Sequence, residues 1–352
     1  MSKLSVNLVT WNGEMYLPYL FRSLREQTYQ DWELVVIDNA STDETVSILE
    51  KELTTILVPH RLIKNLTNTG FAGGHNQGLR ESHGEYALML NQDVFLDPTC
   101  LEKLVLAMDS QAEAAAVTPR LMRWNFPDEF SNSIDSLGLK VFRNRRVVEI
   151  GAGQKWNASR WQTPPNLPLE RRGSKVVEIF GVSGALPLFR RDALQQVLLP
   201  DGNVFDETYH SYKEDVDLAW RLRLAGFGSW LVPEAVAYHD RTAVGTHDLG
   251  DGAAALNKRQ QSAFVQYYSY KNHLATLYKN EQWQNFILDF PWILWYEVKK
   301  FGYFLLFNRN VLKGLIELWQ QRKRLRELRI KNKELRVVSW RGMRRCFKNY
   351  KL

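Results

Sequence analysis

Three carboxylates fall within five residues at Lys213-Glu214-Asp215-Val216-Asp217, where a helical pattern begins. Acidic side chains favour the first turn of a helix because its free N–H groups carry partial positive charge. Three exceed what one helix start requires. Asp217 and Arg221 stand four residues apart on one face and can pair. That leaves Glu214 and Asp215 to face a cleft, with Asp215 the candidate general base. Another acid, Asp93, closes Asn91-Gln92-Asp93 directly after the apolar run Tyr86–Leu90. Its hard oxygens suit Mg2+ or Mn2+ on a diphosphate, although an Asp there also serves as a turn residue before Pro98. Asp38-Asn39 stop a second apolar run, Trp32–Ile37. The Asp38 carboxylate can accept the N3–H of a uracil or thymine ring, while Ser41 to Glu44 read as an Asx turn and helix cap. His239 ends a late strand pattern. A solitary histidine is ordinarily a packed residue, and becomes a natural second ligand once Asp93 holds a cation.

Residues 68–76, Asn68-Thr69-Gly70-Phe71-Ala72-Gly73-Gly74-His75-Asn76, form a glycine-rich bend opening a helix. Free N–H groups at such a start can face phosphate. Neither the G-x-G-x-x-G nor the G-x-x-x-x-G-K-[ST] spacing is present, so no dinucleotide or P-loop fingerprint is met.

These groups need elements to carry them. Leu4–Val9 alternates with period two, Tyr16, Leu17, Leu20, Phe21 and Leu24 recur at helical spacing, and Trp32–Ile37 is a short apolar strand. A helix over 45–53 starts behind Ser41 or Thr42 with Asp43 and Glu44 in its first turn, and another lies near 74–82 before strand 86–90. Strands separated by helices of this length predict βαβ units and a mostly parallel, Rossmann-like sheet. Ligands of such sheets sit at the carboxyl ends of the strands, here Thr10-Trp11-Asn12, Asp38-Asn39 and Asn91-Gln92-Asp93. Residues 124–175 read as long loops with one β-ribbon, of the kind that form lids. Order returns with 176–180, Gly181-Val182-Ser183-Gly184-Ala185, a strand through Phe189, helices from Asp192 and over 214–225, and strands at 230–232 and 236–239.

The chain has 352 residues with 45% apolar and 24% charged side chains, a mix that buries a core. Two cysteines far apart exclude a disulfide framework or zinc cluster. Residues 309–352 hold 15 Lys/Arg against 3 Glu, a net +12; with +7 overall, the first 308 residues carry −5. Basicity confined to an appendage, without a nucleic-acid motif, argues against nucleic acid as a partner. No apolar run approaches the roughly 18 residues of a membrane span, and the N-terminus enters a strand pattern directly, so a cytoplasmic location is expected. Trp283, Phe286, Ile287, Phe290, Leu294, Val298, Phe301 and Leu305 stripe a helical face, with a break expected at Pro291 giving two short interfacial helices. Leu315, Leu318, Leu325, Leu328 and Leu335 stripe a basic helix beyond it. Together they predict a peripheral enzyme on an anionic membrane surface, at the inner face of the cell membrane. The alternatives are helices packed on the body or a homodimer.

The segments VNLVTWNGEMYLPYLFRSLREQTYQDWELVVIDNASTDET, NTGFAGGHNQGLRESHGEYALMLNQDV, FGVSGALPLFRRDAL and YKEDVDLAWRLRLAGFGSWLVPEAVAYH, in this order over about residues 4–240, resemble bacterial family 2 glycosyltransferases of the GT-A fold. The similarity is strongest to rhamnosyltransferase-like members that build cell-surface polysaccharides. Trp11 stands where Tyr is usual, and Asn91-Gln92-Asp93 replaces D-x-D, as in related members with N-x-D. The resemblance implies a catalytic domain over 1–245, with a nucleotide-binding half (1–95) and an acceptor half (96–245), and a helical C-terminal region over 246–352. It implies that Thr10, Asn12, Asp38 and Asn39 hold base and ribose, with Asn68, Gly70, Phe71 and Asn76 closing over them and Asn91 and Gln92 beside them. Asp93 and His239 would hold Mg2+ or Mn2+. Ser183 and Gly184 would line the sugar and acceptor side, with Glu214 and Trp220 near the acceptor. Asp215 would deprotonate an acceptor hydroxyl as it displaces a nucleoside diphosphate with inversion. The donor would be dTDP- or UDP-linked, rhamnose leading, and the acceptor a lipid-linked saccharide read by the 124–175 loops. A nucleotidyltransferase would need a cationic loop where Thr10-Trp11-Asn12-Gly13-Glu14 stands; a non-catalytic scaffold would not need Asp93, Asp215 and His239 together.

Overall fold

A computed structural model describes residues 2–158, 176–241 and 259–348. The first half alternates as expected: β1 (Leu4–Thr10), α1 (Leu17–Arg25), β2 (Trp32–Asp38), α2 (Thr45–Leu53), β3 (His60–Lys64), α3 (Gly70–Glu81) and β4 (Tyr86–Asn91). Then come β5 (Val94–Leu96), α4 (Cys100–Ser110), β6 (Ala114–Asn125), β7 (Glu129–Ser136), β8 (Leu139–Val141), β9 (Val147–Glu149), β10 (Val177–Ile179), β11 (Leu188–Arg190), α5 (Arg191–Gln196), α6 (Glu214–Leu224) and β12 (Gly228–His239). The main sheet runs β10-β12-β6-β11-β4-β1-β2-β3, with β5 on β12 and β7 on β6.

Strands β4, β1, β2 and β3 are parallel, and β12 is parallel to β6. Short β11 joins the two halves antiparallel to both neighbours. Every residue of β1 but Val9 is buried, as expected for a central strand covered by helices on both faces. Leu4, Val6 and Leu8 pack with Leu17, Leu20 and Phe21 on one side; Ala87 and Met89 pack with Ala72 and Leu79 on the other. Register does the positioning. Thr10 pairs with Asp38 and Val9 with Asn91, so three strand ends finish level. β12 pairs antiparallel with β5, setting His239 opposite Val94 and therefore beside Asp93.

The expected loop over 124–175 is more regular than its composition suggests. Strand β6 continues to Asn125 and turns into β7, and β8 and β9 make a second hairpin; residues 159–175 lie outside the described residues, as does the expected domain boundary near 245.

The C-terminal helices are α7 (Ala263–Asn280), α8 (Trp283–Phe307), α9 (Lys313–Gln320), α10 (Arg322–Glu334) and α11 (Trp340–Lys348). The break expected at Pro291 does not occur: α8 is one 25-residue helix with Pro291 inside it. Pro291 faces outward, while Asp289 and Ile293 on either side are buried and anchor the helix to the body across the missing N–H bond. The leucine stripe serves packing, with Leu325 against Tyr209 and Ala275, and Met343 and Phe347 of α11 join Trp220 and Phe180 in a core cluster. The appendage is thus built onto the body by one of its faces. The other face is apolar and exposed, with Ile287 at 61%, Trp295 at 64% and Leu306 at 74% exposure. No helix among the described residues is long and apolar enough to cross a membrane.

Candidate active site

The turn after β4 is fixed by an amide clamp. Gln92 Oε1 accepts from the Trp11 N–H at 2.9 Å and its Nε2 donates to the Trp11 carbonyl at 3.0 Å. Gln92 thereby ties β4 to the end of β1 and leaves Asp93 as the group that faces outward. Asp93 Oδ1 is buried with no hydrogen-bond partner and lies 3.4 Å from His239 Nε2. On the far side of the ring, His239 Nδ1 is 2.9 Å from Asp135 Oδ2, an acid on β7. A carboxylate behind a histidine fixes its tautomer and aims the other nitrogen. Burial lowers the pKa of His239, yet the charges of Asp93 and Asp135 outweigh it and raise the value to about 9.

A buried carboxylate oxygen 3.4 Å from a histidine nitrogen that is itself backed by an acid is a donor set that fits a divalent cation, which would replace the imidazolium proton. Among the described residues no group of three His, Cys, Asp or Glu could hold a metal. Two protein ligands suffice where phosphate oxygens and water complete the shell, the usual arrangement for Mg2+.

A cavity of about 530 Å³ opens beside this pair, lined among others by Phe71, Asn91, Asp93, Ser183, Gly184, Glu214, Asp215, His239 and Arg241. A Cβ on Gly184 would stand 3.3 Å from the Phe71 ring and 3.8 Å from Asp215 Cβ, so this glycine lets the two walls approach. Glu149 on β9 and Arg241 after β12 complete it: Arg241 Nη2 donates to Glu149 Oε1 and to Ser183 Oγ, each at 3.2 Å, and its Nε is 3.3 Å from Asp135 Oδ1. Burial pushes both acids at the start of α6 up, with the Asp215 charge adding for Glu214 and the Glu149 charge adding for Asp215. A carboxylate with a raised pKa is a better proton acceptor than a free one.

The segment leading into α6 is strained. His210 has φ 58 and ψ −63, and the Ser211 N–H donates to the Tyr209 carbonyl at 2.6 Å, a γ-turn. Tyr212 and Lys213 follow at φ 70 and φ 73. Left-handed or γ conformations in non-glycine residues cost on the order of 1–3 kcal/mol each and gather at functional sites. Gly70, at φ 73, passes so close that a Cβ would meet His210 Nδ1 at 2.5 Å.

Other expected residues have structural partners. Asp38 accepts from Thr10 Oγ1 at 3.3 Å, Ser41 Oγ at 2.6 Å and the Ser41 N–H at 3.1 Å. Asn12, at φ 46, caps the same turn through the Thr42 N–H, and Asn68 Oδ1 accepts from the Gly70 N–H at 2.7 Å. Asn39 is occupied on both sides: Nδ2 donates to the Gly70 carbonyl, and Oδ1 accepts from Asn65 and Thr69. Asn76 exchanges two hydrogen bonds with the Phe205 backbone. Asn39 and Asn76 are buried ties between loops rather than groups open to a ligand. Trp220 does not line the cavity. It lies on the inward face of α6 with its ring centroid 5.8 Å from that of Phe180 and 5.6 Å from that of Phe347, a core position. Asp217 meets Arg221 Nε at 3.2 Å and Asn280 Nδ2 at 2.8 Å. Sequence reasoning missed Asp135, Glu149 and Arg241; only the last, two residues after His239, stood near a recognised position.

Residues 5–198 match the family model described as glycosyl transferase family 2. An uncharacterized glycosyltransferase of Haemophilus influenzae is 32% identical over 113 residues, covering 32% of this chain and 35% of that protein; the match spans about a third of that relative's length. The N-acetylglucosaminyl-diphospho-decaprenol L-rhamnosyltransferase of Mycobacterium tuberculosis is 27% identical over 274 residues, 74% of this chain and 83% of that one. Among solved structures, GalNAc-T7 with UDP, GalNAc and Mn2+ aligns at a TM-score of 0.55 with 14% identity, covering 79% of this chain and 48% of that one, a likeness of fold. With more than half of its length matched by the family model, the chain belongs to glycosyl transferase family 2, and its fold is the GT-A fold.

Proposed function

We propose that this glycosyltransferase inverts configuration, depends on a divalent cation, and moves a sugar from a dTDP- or UDP-linked donor to a saccharide carried on a lipid. The observation that carries this reading is the meeting, on one cavity, of the Asp93–His239–Asp135 line and the Glu214–Asp215 pair. Mg2+ or Mn2+, when bound, supplies Lewis-acid neutralisation of the charge left on the nucleoside diphosphate. Asp93 and His239 would hold it, and Asp135 keeps the imidazole aimed. The exposed Trp11 ring, with Thr10, Asn12 and Asp38 at the level strand ends, suits a nucleobase and ribose. Asp215 accepts the acceptor's hydroxyl proton as that oxygen bonds to the anomeric carbon. The bond from the same carbon to the diphosphate oxygen breaks, and its electron pair leaves with the diphosphate. One displacement inverts the centre. General-base help of this kind is worth roughly 10²–10⁴-fold. Rhamnose is the leading sugar because the mycobacterial relative, matched along most of its length, is named for it.

The protein would work at the cytoplasmic face of a membrane. Helix α8 is turned inside out relative to a soluble helix: Asn285, Asp289 and Lys300 face the body, with Asp289 meeting Arg143, Arg145 and Arg344. Apart from the buried Ile293 and Phe304, most of its apolar residues face outward along about 37 Å. Such a face is expected of a helix lying in a lipid interface, with nearby basic residues contributing about 1 kcal/mol each on anionic lipid. The test is a panel of nucleotide sugars with nucleoside diphosphate release as readout, with and without EDTA, and co-sedimentation with anionic vesicles at low salt. Full turnover in EDTA would remove the cation from the mechanism. A protein that ignores vesicles and runs as a dimer would assign the α8 face to a second copy.

A further inference from the structure

The strained segment before α6 is held from two sides, by the domain it belongs to and by the C-terminal helices. The side-chain amide of Asn272, buried on α7, lies 3.0 Å from the Tyr209 carbonyl, 3.0 Å from that of Ser211 and 2.8 Å from that of Tyr212. Three carbonyl oxygens converge there because the chain reverses through His210 and then runs left-handed through Tyr212 and Lys213. Their partial negative charges repel, and the two N–H groups of one amide offset that repulsion. Neighbouring side chains on α7 fasten the flanks. Lys271 Nζ donates to the Thr208 carbonyl at 3.0 Å, Tyr209 shares a hydrogen bond with Thr276 at 2.9 Å, and Lys279 Nζ lies 2.8 Å from Asp206. From the same segment the His210 carbonyl accepts from the Ala72 N–H at 3.2 Å, at the start of α3 beside Phe71. Whatever fixes residues 209–213 therefore sets α6, with Glu214 and Asp215, against the Phe71 wall.

We propose that Asn272 is a positioning residue of the transfer reaction: from α7 it holds the left-handed backbone of residues 209–213 and so places the acids at the start of α6 in the cavity. This rests on the function proposed above for its kinetic arm only. Asn272→Ala is expected to lower kcat at least ~10-fold with donor KM within ~2-fold of the unaltered protein, and Asn272→Asp, of equal size but unable to donate, to fall as far. Asn272→Ser, which keeps one donor, is expected between the unaltered protein and Asn272→Ala and serves if the alanine variant folds poorly. Deuterium uptake over 206–216 should rise in Asn272→Ala while uptake over 86–96 stays constant. Glycine adopts left-handed φ without a side-chain penalty, so the loss on Asn272→Ala should be at least ~3-fold smaller in a Lys213→Gly background. Unchanged exchange over 206–216 with unchanged kcat would overturn the inference. So would a loss of the same size in the Lys213→Gly background that follows the fall in Tm. The exchange arm needs no substrate, so failure of the assigned reaction and failure of this inference read differently.

Discussion

Asp135 stands behind His239, 2.9 Å from Nδ1, on the side of the ring opposite Asp93, which lies 3.4 Å from Nε2. The three side chains come from β7, the end of β12 and the turn after β4, and the antiparallel pairing of β12 with β5 brings the last two together. Removal of Asp135 frees the imidazole to rotate and to change tautomer. Asp135→Ala is therefore expected to weaken Mn2+-dependent binding of dTDP or UDP by roughly 10–100-fold, the usual effect of losing such a partner. Titration calorimetry with and without Mn2+ measures it, and equal affinity in both proteins would detach Asp135 from the cation site.

The outward face of α8 gives a second expectation. Ile287→Glu together with Trp295→Glu replaces two exposed apolar side chains without touching the buried stripe at Asn285, Asp289, Ile293 and Lys300. Each large apolar group taken into lipid contributes about 1.5–3 kcal/mol, so partition onto anionic vesicles should fall at least ~10-fold. Turnover of a short soluble acceptor should stay the same. Unaltered vesicle binding would move the membrane contact elsewhere.

The buried network behind the active-site loop predicts a pH and stability signature. Burial raises the Asp206 pKa, but Lys279 and Arg324, at 2.8 Å each, outweigh it and hold the carboxyl well below its usual range. A depressed folded-state pKa stabilises fully above the unfolded value near ~4 and loses that contribution as pH falls through the folded value. The thermal stability of the unaltered protein should therefore fall as pH drops below ~4, and Asp206→Asn should flatten that slope. Lys279→Met, which leaves Asp206 and Asp217 short of a buried cation, is expected to cost about 3 kcal/mol. A Tm unmoved by Lys279→Met would mean that the C-terminal helices do not stabilise the loop.

Much of the candidate site was legible because strand ends and helix starts are local events. Asp93 follows an apolar run, Glu214 and Asp215 exceed what a helix start uses, and His239 closes a strand. Asp135 and Glu149 were not legible, since they sit on hairpin strands in a polar, Arg- and Gly-rich stretch and reach the site only through sheet register. Trp220 was expected near the acceptor, but an aromatic on the helix that starts with Glu214 and Asp215 says nothing about which face it occupies, and Phe347, 127 positions later, packs against it in the core. Helix α7 was hidden by the binary pattern itself. Lys271, Asn272, Thr276, Lys279 and Asn280 would ordinarily mark a solvated face, yet all five are buried against the 206–217 region. Pro291 misled for a related reason: propensity is local, and the anchors at Asp289 and Ile293 override it.

Donor binding and turnover, compared between the unaltered protein and Asp215→Asn, test the central claim most directly. The amide keeps the shape of the carboxyl and removes the proton acceptor. Turnover is expected to fall at least ~100-fold with donor affinity held within ~2-fold. Glu214→Gln should keep the larger share of activity. Full turnover in Asp215→Asn, with activity lost in Glu214→Gln, would contradict the assignment of the base.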